Sequence, residues 1–198
     1  MSPPSRRIAI LTLAVVLAAG WAVRFHAVNT ELELPEIQVF RSGEEVPVGK
    51  DFFDYADEDM DGYTITVLGA ELSPVQDFLE KYDSTEKREL LGHFTDYVYE
   101  VRISVANRYN PHVNQKGISL LRYVLQGTDY VLTLDGDCFM MANPDMPGTA
   151  FSIRRETTMD MTLTFGVLSR VTSLRHLAED PPKLQITQYP HQKMIALS

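Results

Sequence analysis

Apolar and polar residues alternate most cleanly between Tyr97 and Tyr109, YVYEVRISVANRY. Val101, Ile103 and Val105 fall on one face of an extended chain, and Glu100, Arg102 and Ser104 fall on the other. That period of two predicts a half-buried strand at the centre of an antiparallel sandwich. Further strands are predicted at Glu36 to Phe40 as an edge, and at Tyr63 to Val67, where Tyr63, Ile65 and Val67 alternate with Thr64 and Thr66. Ile118 to Gln126 and Tyr130 to Leu134 follow, parted by a Gly-Thr-Asp turn. Thr149 to Arg154, Thr158 to Val167 and Lys183 to Gln188 complete about eight strands. The period changes once, in LSPVQDFLEKY. There Ser73 suits a helix cap and Pro74 the first helical position, while Val75, Phe78, Leu79 and Tyr82 share a face. One short helix is expected at that point, plugging an end of the sandwich. Asp135 to Gly148, punctuated by Gly136, Pro144, Pro147 and Gly148, reads as a long loop.

The run Ile8 to Val23 carries no charge, follows Arg6 and Arg7, and ends at Arg24. Basic residues on its early flank hold that flank cytoplasmic and send the rest of the chain outside. Residues 1–28 therefore read as a signal peptide or a membrane anchor. Both remain open, because the small residues Ala18, Ala19, Gly20 and Ala22 offer weak cleavage sites and the run is short for a span. Residues 29–48 are expected to form a spacer and residues 49–198 the domain. An uncleaved run makes residues 8–23 the chain's contact with the membrane.

The formal charge is −9, and the three arginines of the first 26 residues leave 15 basic against 27 acidic side chains, or −12, for the rest. Such a body is repelled by nucleic acid phosphates, so no nucleic-acid partner is expected. The single cysteine, Cys138, excludes an internal disulfide and reads as a packed thiol.

Six acids crowd the eleven residues from Asp51 to Asp61. Asp57, Asp59 and Asp61 followed by Gly62 match the first half of a calcium loop and are the candidate metal ligands. The twelfth position, however, is Leu68, where such a loop needs a bidentate glutamate. A solvated acidic turn is the reading adopted, and no cofactor is expected unless calcium binds there weakly. Asp135 and Asp137 form a second carboxylate pair that reads as turn chemistry. No catalytic residue is identified: the five histidines never stand at metal-ligand spacing, and no serine lies in a Gly-x-Ser-x-Gly elbow.

The apolar run, DGYTITVLGAELSPVQDFLEKY, YVYEVRISVANRYN, GISLLRYVL, the ANPDMPG loop and MTLTFGV together resemble a known family. It comprises secreted or membrane-anchored immunoglobulin-like domains of unknown function from Gram-positive bacteria. The resemblance spans roughly residues 33–198. It implies an all-β, immunoglobulin-like antiparallel β-sandwich with one short helix, placed outside the membrane, and supplies no catalytic residue. The expected function is an extracytoplasmic binding or interaction module for a protein or small ligand, not an enzyme. The alternative is a small metal-dependent protein or enzyme using Asp57, Asp59 and Asp61, or Asp135 and Asp137.

Overall fold

The structure is a computed structural model that describes residues 3–30, 34–55, 60–85, 95–111 and 117–197. The chain separates into two units, Met1–Leu34 and Pro35–Ser198. The first unit is one helix, α1 (Pro3–Thr30). Its stretch Ile8–Asn29 is long and apolar enough to cross a membrane. At ~1.5 Å per residue that stretch measures about 33 Å, against a hydrocarbon layer of ~30 Å. The helix thus outruns the apolar letters Ile8 to Val23, and the shortness read from them disappears. Its polar groups turn inward: Thr12 Oγ1 donates to Ile8 O at 3.0 Å and Asn29 Nδ2 to Phe25 O at 2.7 Å.

The second unit is mostly β. Its elements are β1 (Glu36–Phe40), β2 (Val46–Pro47), β3 (Tyr63–Pro74), α2 (Val75–Lys81), β4 (Tyr97–Asn107), β5 (Ile118–Ser119), β6 (Val124–Gln126) and β7 (Val131–Thr133). Then come α3 (Gly136–Ala142), β8 (Ala150–Phe151), β9 (Thr157–Val167), α4 (Leu174–Glu179), β10 (Lys183–Gln185) and β11 (His191–Ala196). One sheet has the order β2-β3-β4-β9 and a second the order β1-β11-β10-β6-β7, while β5 and β8 pair separately. Every pairing is antiparallel except β1 with β11, which is parallel. The folded unit begins at Pro35, so β1 and β2 belong to it although they lie in the stretch read as spacer.

The alternation read in β4 holds: Val101, Ile103 and Val105 are fully buried and join Leu125, Leu132, Leu184 and Ile195 of the other sheet in one core. β3 runs much further than its alternation suggested. A bulge at Leu68, between Val67 and Gly69, inserts one residue and resets the phase, so Ala70 and Leu72 again turn toward the core. Ser73 is therefore not a cap. It is a strand residue opposite Val98, its hydroxyl buried without a hydrogen-bond partner among the described residues, and α2 starts behind Pro74 with no side-chain cap. A residue before proline is held extended, which continues the strand up to the helix.

Four further expectations are corrected. The loop from Asp135 contains α3, because Gly136 and Pro144 bracket a seven-residue helix without interrupting it, and Asp135 accepts a cap bond from Cys138 N at 3.0 Å. α4 is a further helix, capped by Ser173, so the described residues of the domain form three helices where one was expected. The segment Ile118 to Gln126 is two strands broken by a turn in which Tyr123 N donates to Leu120 O, and the last strand is β11.

α3 also guards the outer edge of β9. Asp135 N donates to Thr164 O at 2.8 Å, and the side chain of Asn143 donates to Thr162 O at 2.8 Å and accepts from Thr162 N at 2.9 Å. These bonds occupy backbone groups that would otherwise recruit another strand. For the core itself, Ile103→Ala is expected to cost about 2–5 kcal/mol through the cavity it leaves. Arg102→Ala, on the exposed side, should change stability little; urea unfolding of both variants checks the assignment of faces.

Candidate functional site

The side of β4 that faces away from the core is covered at one end by α2 and α3. Val98 packs there with Val75, Phe78, Leu79, Cys138 and Met141. The next outward residue is Glu100, which is only 2% exposed. A carboxylate so buried requires compensation. Lys81 Nζ stands 3.1 Å from both of its oxygens, and the Tyr82 hydroxyl donates to it at 2.6 Å. Lys81 also reaches Glu71 at 3.1 Å. Burial opposes the Lys81 charge, but the bonds to Glu100 and Glu71 outweigh it and hold its pKa above the ordinary value. Burial, followed by the Glu100 contact, pushes the Tyr82 phenol up to about 12.

These residues line a cleft of about 620 Å³ together with Gly69, Ala70 and Arg102. A Cβ at Gly69 would come within 3.2 Å of the Arg102 guanidinium, so the glycine beside the bulge gives that side chain its room. The Arg102 side chain makes no hydrogen bond or ion pair among the described residues. Among the described residues the cleft therefore combines a satisfied ion pair with a guanidinium that none of them engages, a group suited to bidentate contact with an anionic oxygen pair.

A second cluster lies where the β6–β7 turn meets α4. His176 Nε2 is 2.7 Å from Asp129 Oδ1. Asp180 accepts from Thr128 N at 2.6 Å and from Thr128 Oγ1 at 3.0 Å. The Tyr130 ring meets the His176 ring edge-on, with centroids 5.4 Å apart. The Asp129 hydrogen bond raises the His176 pKa above its ordinary value. Donor atoms of Asp129, His176 and Asp180 all lie within 4.8 Å of one another. Spacing along the chain could not reveal this group, because 47 residues separate Asp129 from His176.

A third cluster is structural. Asp51 is buried, 2.7 Å from Lys193 Nζ and 2.9 Å from His191 Nδ1, and Lys193 also donates to Pro47 O and Val48 O. These bonds fasten the stretch around residues 47–51 onto β11. Burial pushes the Asp51 carboxyl up, but the Lys193 and His191 hydrogen bonds outweigh it and leave its pKa below the usual range.

Of the residues singled out from the sequence, Asp57 and Asp59 lie outside the described residues, as do His93 and His112. Asp61 Oδ1 accepts the Tyr109 hydroxyl at 2.7 Å, and Asp61 O accepts Asn110 Nδ2 at 2.7 Å. Gly62, at φ +93°, sits so close that a Cβ would lie 2.5 Å from Asn110 N. The turn is thus stitched to the end of β4. Asp135 caps α3, and Asp137 is an exposed residue of its first turn. Cys138 is fully buried, and that burial, with Asp135 beside it, pushes its thiol pKa up.

A protein-family model described as Domain of unknown function (DUF5028) matches residues 37–193. No curated protein and no solved structure matches the chain.

The lowered Asp51 pKa fixes a pH dependence. The folded value lies below the unfolded ~3.9, so the stabilisation is complete above that value and disappears as pH falls through the folded one. Melting temperature followed from pH 6 to pH 2 should fall less steeply for Asp51→Asn than for the unaltered chain over the acid part of that range. Parallel curves would show that Asp51 is not linked to stability.

Proposed function

The chain belongs to the DUF5028 family of domains of unknown function, and we propose that it is an extracytoplasmic binding module held at the cell membrane by its N-terminal helix. The observation that carries this reading is α1. Its described side chains are exposed from Ile8 to Asn29, on a stretch long and apolar enough to cross a membrane. Such a surface is stable in lipid and costly in water. Arg6 and Arg7 before it favour a cytoplasmic N-terminus, which puts the following domain outside.

Binding fits the domain better than catalysis does. In the larger cleft Glu100 already accepts bonds from Lys81 and Tyr82, so it is poorly placed to take a proton from a substrate. Among the described residues of the cleft Arg102 is the group left to meet a ligand, and it favours one that carries a carboxylate or a similar anion. The same proposal describes the domain as an immunoglobulin-like sandwich, supported by two largely antiparallel sheets that share one core. A Gram-positive cell surface as its setting rests on the sequence resemblance alone.

Cell fractionation and surface proteolysis test the reading. The full-length chain should stay with membranes through an alkaline carbonate wash and be digested when protease is added outside intact protoplasts. A chain released in shortened form, or protected until lysis, would contradict it.

A further inference from the structure

We propose that Asp129, His176 and Asp180 form a binding site for a divalent cation of the zinc class. The donor set is one imidazole and two carboxylates, brought together from the β6–β7 turn, from α4 and from the residue just after it. Calcium and magnesium take oxygen ligands, whereas mixed imidazole and carboxylate sites suit zinc and its neighbours. Ligands at ~2.0–2.2 Å on a tetrahedral ion stand about 3.3 Å apart. The 2.7 Å contact between His176 and Asp129 must therefore open by roughly half an ångström, and the widest donor separation, at most 4.8 Å, must close by up to about 1.5 Å. Both shifts are within reach of side-chain rotation.

The surroundings of these residues match those of metal ligands. Thr128 donates to both oxygens of Asp180, through its amide and its hydroxyl, which fixes the carboxylate and leaves each oxygen a free lone pair. The Tyr130 ring packs edge-to-face with the imidazole of His176. Asp129 and His176 also border a cleft of about 320 Å³, so a fourth coordination position opens onto space for water or an anionic ligand. The acidic body of the chain favours cation capture.

The test is a zinc titration of the full-length protein in detergent after chelator treatment, read by calorimetry. One equivalent should bind in the micromolar range or tighter, and His176→Ala and Asp180→Asn should each weaken it more than about tenfold. Cobalt should give the visible absorption of a tetrahedral site, lost in the same variants. Asp180→Asn also disturbs the Thr128 bonds, so Asp129→Asn is included; Asp129 is exposed, and it too should weaken binding. Absence of saturable zinc binding, or binding unchanged in His176→Ala and Asp129→Asn, would overturn the proposal and leave the cluster as an ion pair joining turn to helix.

Discussion

A strand buried on both faces can carry a carboxylate only if the fold supplies that carboxylate with partners. β4 is such a strand at the end that holds Val98 and Glu100, and Glu100 is the carboxylate. Its front face builds the core shared by the two sheets, through Val101, Ile103 and Val105. Its back face takes Val98 and Glu100 under α2 and α3. Lys81 and Tyr82, at and just beyond the end of α2, answer the buried charge. They are in place because β3 pairs with β4 right up to Pro74 and hands the chain straight to the helix. One salt bridge thereby links the length of β3, the position of α2 and the existence of the cleft.

Alternation made β4, the first half of β3, β1 and most of β9 legible, because each is a strand with one apolar and one mixed face. It failed where the phase is reset. The bulge at Leu68 hid the second half of β3, and a plausible Ser-Pro cap stood in its place. Short elements were the other loss: α3 is no longer than α2 but stands among Gly136, Pro144, Pro147 and Gly148, and α4 has six residues, too few for a helical period to stand out. Glu100 was read as a residue of the polar face, since burial on that face depends on a helix that sequence alone could not position. The Asp129, His176 and Asp180 cluster was illegible for a simpler reason, that its members meet only after the β6–β7 turn and α4 have docked. The acidic turn, conspicuous in the letters, contributes through Asp61 a contact that closes the chain onto β4.

The functional reading divides between the two units. In the proposed reading α1 serves location, through its length and its apolar surface. In that reading the domain serves recognition, with a guanidinium unpaired among the described residues in the cleft over Glu100 and a mixed donor set beside the second cleft. The donor set depends on side chains held by the scaffold's own hydrogen bonds, so little has to be ordered there when a ligand arrives.

A double-mutant cycle between Lys81 and Glu100, read by equilibrium unfolding, tests the central claim that the buried carboxylate and its partner hold this side of the domain together. Lys81→Met strands the charge of Glu100 and should cost roughly 1–3 kcal/mol, whereas adding Glu100→Leu should restore much of that loss, since an apolar pair needs no compensation. Additive losses, or no loss from Lys81→Met alone, would contradict the account.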